Sequence, residues 1–72
     1  METTKRHLKV ERRDINYLRV TLESYDGMVV VRTVDPREAV IELQISPGCE
    51  SLVFELLRDL TENELMDIRP MA

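Results

Sequence analysis

The stretch Met28–Ile45, MVVVRTVDPREAVIELQI, contains two strand-like runs on either side of a turn sequence. The second run alternates apolar and polar residues, the period of two that is typical of a strand with one buried face. Between the runs, Pro36 favours a turn corner and the side chain of Asp35 can accept hydrogen bonds from the backbone ahead of it. The first run is rich in β-branched residues, which favour a pleated surface: Val29, Val30, Val31, Thr33 and Val34. The stretch therefore predicts a β-hairpin.

The first strand of this hairpin leaves apolar residues on the face that points away from the core. If Val29 and Val31 face the core, Val30 and Val34 lie on the opposite face. These valines are either scattered surface residues, which are common, or a strip that a partner covers. A β-branched edge strand with a single charge is also a template for pairing with another chain. We expect a homodimer through the sheet face or the edge strand, and the predicted surface is Val30, Arg32, Val34 and Val40.

One strand and one helix are predicted before the hairpin. Lys5–Glu11 alternates Leu8 and Val10 with polar residues, which indicates a strand. Asp14 is expected to begin a helix as its N-cap, and Gly27 to end it, because glycine tolerates the left-handed conformation at a helix end. The apolar stripe of this helix is Ile15, Leu18, Leu22 and Tyr25.

A second helix and a closing strand are predicted after the hairpin. Ser46 as N-cap, Pro47 and Glu50 form a strong helix start, and Ser46 and Gly48 offer free N–H groups that could hold an anion. Residues 65–69 suggest a short strand that Pro70 stops. The apolar stripe of the helix is Cys49, Leu52, Val53, Leu56, Leu57 and Leu60, with Phe54 at its rim.

The predicted order of elements is therefore strand, helix, strand, strand, helix, strand. A chain of this order most simply forms an α+β, ferredoxin-like βαββαβ sandwich. Its four-stranded antiparallel sheet has both helices on one face and the first and third strands in the centre. We expect a single domain over residues 1–72, with residues 1–4 as a disordered tail. The expected inward residues of the strands are Leu8, Val10, Val29, Val31, Ile41, Leu43, Ile45, Met66 and Ile68.

Length and composition restrict the class of protein. The chain has 72 residues, 43% of them hydrophobic and 33% charged, which is typical of a small globular domain. The lone Cys49 cannot form an internal disulfide, and a reducing, cytoplasmic location is the expectation. No apolar run approaches the roughly 20 residues of a membrane helix, so no membrane partner is expected.

Charge and aromatic content argue against nucleic acid as a partner. The net charge is −4 and the isoelectric point is about 4.9, whereas nucleic-acid-binding domains are usually basic. The predicted central strands carry no aromatic residue except His7 on which bases could stack. The alternative is a nucleic-acid-associated module that uses the basic residues of the first third of the chain: Lys5, Arg6, Lys9, Arg12, Arg13 and Arg19.

The sequence offers no recognisable catalytic chemistry. It has no Cys/His cluster for zinc and no glycine-rich phosphate loop, so we expect no metal, no cofactor and no catalytic residue. His7 is the single histidine, and Cys49 lies on an apolar helix stripe, where a packing role is the simpler interpretation. The protein is predicted not to be an enzyme.

Five segments carry a resemblance that covers nearly the whole chain: 14–18 (DINYL), 23–29 (ESYDGMV), 33–36 (TVDP), 45–48 (ISPG) and 56–60 (LLRDL). In these the sequence resembles a family of short bacterial proteins catalogued only as a domain of unknown function. More distantly, the βαββαβ order is similar to ACT-type regulatory domains, which pair through their sheets and bind small ligands. Where those domains usually carry a glycine beside the ligand, this chain has Glu11–Asp14. The resemblance implies a self-associating interaction or small-ligand regulatory module.

Overall fold

The computed structural model describes residues 3–25 and 27–71 and has the predicted element order. It contains strand β1 (Thr4–Lys9), helix α1 (Ile15–Glu23), strands β2 (Val29–Asp35) and β3 (Val40–Ile45), helix α2 (Glu50–Asn63) and strand β4 (Arg69–Met71). A single 3₁₀ turn, Arg12–Asp14, precedes α1. The predicted βαββαβ fold is confirmed. Thr4, assigned to a tail in the sequence interpretation, begins β1, whereas Met1, Glu2, Asp26 and Ala72 lie outside the described residues.

The four strands form one antiparallel sheet in the order β2-β3-β1-β4. The first and third strands are central and β2 is an edge, as predicted. Along β1 and β3 the cross-strand pairs run from Thr4 opposite Ile45 to Lys9 opposite Val40. Along β1 and β4 they run from His7 opposite Met71 to Lys9 opposite Arg69. This arrangement is ferredoxin-like.

Both helices cover the same face of the sheet, because side chains from α1, α2 and the inward strand positions join in one core. Ile41, Leu43 and Ile45 of β3 are fully buried. Met66 and Ile68 pack against this core and are partly buried, as are Leu56 and Leu57. The fully enclosed helix residues are Leu18, Leu22 and Val53, and Leu60 is nearly so.

Of the two predicted helix starts, the first is confirmed in position and the second is wrong. Asp14 is the N-cap of α1, as predicted, but its backbone angles are helical and its side chain makes no cap hydrogen bond. The N-cap of α2 is Cys49, not Ser46, and Gly48 ahead of it has a φ of +85°. Ser46 instead donates a hydrogen bond from its hydroxyl to the carbonyl of Gly27. This bond links the connection between β3 and α2 to the connection between α1 and β2.

The hairpin turn forms as predicted, with one addition. Asp35 Oδ1 accepts hydrogen bonds from the backbone N–H groups of Arg37 and Glu38 at 3.0 and 3.2 Å. The register shifts between Thr33 and Asp35, which makes Val34 the extra residue of a β-bulge. The bulge places Asp35 opposite Val40, from where its carboxylate reaches the turn.

The closing strand is later than predicted. It is Arg69–Met71 instead of residues 65–69, and Pro70 lies within it, opposite Leu8. Leu65 cannot start a strand because its φ is +56°, in the left-handed region. Proline is tolerated in β4 because an edge strand leaves alternate N–H groups unused by the ladder.

Candidate ligand-binding cleft

A cleft of about 280 Å³ opens between α2 and the edge of the sheet formed by β1 and β4. Its wall on the helix side is a row of residues at positions i, i+3, i+4 and i+7, which share one helix face. The sheet side comes from β1, β4 and the segment that leads into β4. The lining residues are Arg6, His7, Leu8, Phe54, Leu57, Arg58, Thr61, Ile68, Pro70 and Met71.

The helix wall of the cleft follows from a second stripe on α2. The first stripe, which contains Val53 and Leu60, faces the core. Phe54 lies one position further round and is 41% exposed, so its ring lines the cleft instead of the core. Phe54 was predicted to lie at the rim of the core, and the i, i+3, i+4, i+7 spacing of Phe54, Leu57, Arg58 and Thr61 is the signal that predicts its role here.

Arg6 is the unusual residue of the sheet wall. It pairs with Leu43, and its neighbours on the same side of β1 are Thr4 and Leu8, so it lies on the face that the helices cover. A charged residue at such a position of a central strand departs from the apolar pattern of that face, and Arg6 is exposed. Departures of this kind between local pattern and fold concentrate at functional sites. Arg6 was not predicted to line a site, because it stands within a run of basic residues.

The guanidinium groups of the cleft are only partly engaged. The guanidinium carbon of Arg6 lies 5.9 Å from the centre of the Phe54 ring, a cation–π contact, and its Nη1 donates to the Lys5 carbonyl at 3.3 Å. Arg58 Nε lies 3.6 Å from Glu62 Oε1, but both side chains are well exposed and such surface pairs contribute little. Within the described ranges 3–25 and 27–71, no aspartate or glutamate lines the cleft. Its charged lining groups are therefore cationic, in a chain of net charge −4.

The anion site predicted at Ser46 and Gly48 already contains a carboxylate of this chain. Glu50 Oε1 accepts a hydrogen bond from the Thr4 hydroxyl at 3.0 Å. The carboxylate of Glu50 accepts hydrogen bonds from its own backbone N–H, from the Thr4 hydroxyl and from the backbone of Gly48, and these lower its pKa. Desolvation raises the pKa, but by less than the hydrogen bonds together lower it. The start of α2 is therefore occupied by Glu50, which anchors the helix to the first strand.

The predicted dimer surface is partly exposed. Val30 and Val34 lie on the outer face of β2 and are 55% and 50% exposed, and Arg32 between them is exposed. Val40 shares the outer face in the register but is only 8% exposed. Its cross-strand neighbour Lys9 reaches over the turn to Glu38, with Nζ and Oε2 3.2 Å apart. We attribute the burial of Val40 to this long side chain, and the apolar strip therefore consists of Val30 and Val34.

The middle of the outer face is polar. His7 Nε2 lies 3.0 Å from Glu42 Oε2, and Gln44 donates to the other oxygen of Glu42 at 2.8 Å. The hydrogen bond from Gln44 is the largest influence and lowers the pKa of Glu42. Desolvation opposes it, and the hydrogen bond with His7 and the charge of Lys5 lower the pKa further. His7 therefore has a structural partner, and no base-stacking platform lies beside it on β1 or β3.

The six basic residues of the first third do not form one patch. Lys5 and Lys9 lie on the outer sheet face, whereas Arg6 lies on the side of the helices. Arg12 donates to the Arg37 carbonyl in the hairpin turn at 3.1 Å and Arg19 to the Thr33 hydroxyl of β2 at 3.1 Å, which places both at the hairpin. A continuous track for a phosphate backbone does not arise from this arrangement.

Three further findings concern metal ligands, membrane-crossing helices and the cysteine in the described part of the chain. Among residues 3–25 and 27–71, no group of three or more His, Cys, Asp or Glu side chains could hold a metal ion. Within the same ranges, no helix combines the length and the apolar character needed to cross a membrane. Cys49 is a free thiol, partly buried and packed against the core.

Comparison with known families identifies the chain at the level of a family. The model of a family described as "Domain of unknown function (DUF4911)" matches residues 8–63. The chain belongs to the DUF4911 family. The match confirms the resemblance to a domain of unknown function. No curated protein and no solved structure matches the chain.

The DUF4911 match contains only part of the cleft. It includes the helix wall, with Phe54, Leu57, Arg58 and Thr61, but Arg6 and the residues of β4 lie outside the matched range. The family-wide part of this domain is thus the hairpin, the two helices and the last two residues of β1, Leu8 and Lys9. The guanidinium on the sheet side and the closing strand belong to the flanks.

Proposed function

We propose that this domain is a non-enzymatic binding module that takes a small, largely apolar ligand in the cleft between α2 and β4. The observation that carries the proposal is the cleft itself, with apolar walls from Phe54, Leu57, Ile68 and Met71 and polar groups confined to a few positions. Ligand sites in proteins are typically concave, mostly apolar and equipped with few polar groups. The lining offers contacts and charge, so binding is the chemistry that it supplies.

The size of the cleft restricts the ligand. Ligand pockets commonly have about 300–1,000 Å³, and this cleft has about 280 Å³. The expected ligand is therefore smaller than a nucleotide or a typical drug, and its apolar part lies against the Phe54 ring. Each buried methylene contributes ~0.8 kcal/mol, which corresponds to roughly a fourfold gain in affinity.

A series of straight-chain alcohols tests this proposal. Two-dimensional NMR spectra recorded with butanol, hexanol and octanol should show shifts at Leu57, Thr61 and Ile68, and the affinity should rise with chain length. Thr61→Trp fills the cleft from the exposed side of α2 and should abolish the shifts. Asp59→Trp, also on the exposed side of α2 but away from the cleft, is the matched control and should leave them intact. Shifts that do not follow chain length, or that survive Thr61→Trp, would refute the proposal.

Self-association is the second candidate function, and the exposure of Val30 and Val34 supports it. Two copies that meet through this strip would remove two apolar side chains from water in each chain. Pairing along the edge of β2 is less favoured, because the carboxylate of Glu23 already binds the N–H of Val31 there. A small-ligand module that also pairs would work in the manner of the ACT-type domains to which the element order is similar.

The location of the protein is part of the same proposal. The free thiol of Cys49, the single cysteine of the chain, suits a reducing bacterial cytoplasm. Immunodetection of the protein in fractionated cells tests it, and recovery from an oxidising compartment would contradict it.

A further inference from the structure

We infer that the natural ligand of the cleft is a small monocarboxylate with an alkyl or similar apolar tail, held by Arg6 and Arg58. The inference rests on the proposed function and adds the chemistry of the head group. It follows from the charges of the lining, where the part of the chain that the structure describes supplies two arginines and no acidic residue.

The placement of Arg6 gives the sheet-side half of the head-group site. Its guanidinium lies against the face of Phe54, which holds the planar group at the wall of the cleft, and among residues 3–25 and 27–71 its one hydrogen-bond partner is the Lys5 carbonyl. A guanidinium has five N–H donors in a fork that matches a carboxylate, and Arg6 uses one of them on the Lys5 carbonyl. A carboxylate at the mouth of the cleft would therefore find donors that are already oriented.

The placement of Arg58 gives the helix-side half. It lies one helical turn after Phe54, and its Nε is 3.6 Å from the exposed carboxylate of Glu62. A ligand carboxylate can replace this partner at small cost, because the existing pair is long and solvent-exposed. Glu55 and Asp59, the acidic residues of α2 nearest to Arg58 in sequence, lie outside the lining, and Glu62 approaches it through the long, exposed pair with Arg58.

The apolar walls determine what the rest of the ligand is. Aliphatic carbon lines the cleft at Leu8, Leu57, Ile68 and Met71, and Pro70 of β4 also contributes to the lining. A phosphate or a dicarboxylate would leave charge against these residues without a partner, which is costly. An alkyl tail removes their surface from water instead. The combination of two cations at the mouth and aliphatic walls behind them selects a carboxylate with a single apolar tail.

Three probes of equal length separate this inference from the proposed function. Octanoate, octanol and octylammonium should be titrated in the same buffer and followed by NMR, including the side-chain Nε–H signals of the arginines. Octanoate should bind at least tenfold more tightly than octanol and octylammonium least, and only octanoate should shift the signals of Arg6 and Arg58. Equal affinities of octanoate and octanol would overturn the inference and leave the proposed function standing, whereas no binding by any probe would overturn both.

Variants of the two arginines complete the test. Arg6→Gln and Arg58→Gln should each reduce the preference for octanoate over octanol by about tenfold, with little effect on octanol itself. Arg13→Gln, an exposed residue of the 3₁₀ turn, is the matched control and should change nothing. Because Arg6 lies on a central strand, Arg6→Lys serves as a second variant that keeps the charge and should retain part of the preference. An unchanged preference in folded Arg6→Gln and Arg58→Gln would overturn the inference.

Discussion

The side chain of Glu23, at the end of α1, accepts a hydrogen bond of 2.8 Å from the backbone N–H of Val31, in the middle of the edge strand β2. An edge strand presents unpaired N–H groups to which another strand can add, and proteins protect such edges with charged side chains. Glu23, which belongs to the helix layer, protects this edge, and the strand itself contributes the charges of Arg32 and, at its end, Asp35. The edge is therefore less open to pairing than its β-branched composition indicates.

Removal of this protection should increase association. Glu23→Ala exposes the N–H of Val31, and the variant should have a higher average mass than the wild type at equal concentration, measured by light scattering across a dilution series. Glu55→Ala, an exposed glutamate of α2, is the control for the loss of one negative charge. If both variants keep the wild-type mass at millimolar concentration, Glu23 has no protective role.

The apolar strip of the outer face should control association of the wild type. Replacing both Val30 and Val34 by lysine adds charge where two copies would meet, and the dimer should dissociate at lower dilution than the wild type. Stability should change little, because both side chains are at least half exposed. Light scattering measures the mass and thermal unfolding measures the stability. A wild type that is monomeric even near millimolar concentration would remove self-association from consideration.

Core truncation should be severe in so small a domain. Leu18 of α1 is fully buried, and Leu18→Ala should lower the free energy of unfolding by about 2–5 kcal/mol. At about 0.05–0.15 kcal/mol per residue, the whole domain has only about 4–11 kcal/mol. Val20→Ala on the same helix, where Val20 is 63% exposed, should change stability by less than about 0.5 kcal/mol. Urea unfolding followed by circular dichroism distinguishes the two, and equal effects would contradict the assigned core.

The contact between Thr4 and Glu50 should contribute a pH-dependent part of the stability. The folded state lowers the pKa of Glu50 from its ordinary value of 4.5, so this contribution is present above about pH 4.5 and is lost as the pH falls through the lower, folded-state pKa. Glu50→Gln should therefore have a lower melting temperature than the wild type at pH 7, and the two should converge at strongly acidic pH. A difference that stays constant from pH 7 to pH 2 would show that ionisation of Glu50 is not its source.

The left-handed backbone of Leu65 should be a source of avoidable strain. Its φ is +56° and its side chain is 85% exposed, so Leu65→Gly removes an unfavourable conformation and loses almost no buried surface. We expect the variant to gain about 0.5–1 kcal/mol, or ~4 °C in melting temperature. Glu64→Gly is the comparison and should lose stability, because Glu64 has a negative φ, so glycine brings no relief there, and its side chain accepts a hydrogen bond from the Tyr17 hydroxyl at 2.8 Å. A loss of stability in Leu65→Gly would mean that the exposed leucine has a stabilising contact.

Patterns that depend on local geometry were predictable from the sequence. The alternation of Ile41, Leu43 and Ile45 determines which face of β3 is buried, and Asp35 ahead of Pro36 determines the turn. The position of Arg6 was not predictable, because a run of basic residues hides which one faces the helices until the register with Leu43 is known. Val40 is buried although it lies on the outer face, and we attribute this to Lys9, its cross-strand neighbour from a strand far away in sequence. Periodicity within one strand contains no such information.

The placement of Pro70 shows the same limit. A proline after an apolar run predicts the end of a strand, and here it lies inside β4 because this strand is an edge that pairs on one side only. Edge and centre are properties of the assembled sheet. The cleft between α2 and β4 was therefore not predictable from the sequence, because it depends on the position of β4 in the sheet.

The central position of β1 has a consequence for synthesis of the chain. β1 leaves the ribosome first, yet its two neighbours come later: Ile45 pairs with Thr4 and Met71 with His7. During translation, the hairpin of β2 and β3 is the part of the sheet that can form from residues adjacent in sequence. β1 stays unpaired until its partner strands have been synthesised. Pairings so distant in sequence slow folding. The basic residues of β1, which repel one another and stay hydrated, are well suited to keep this waiting segment from aggregating.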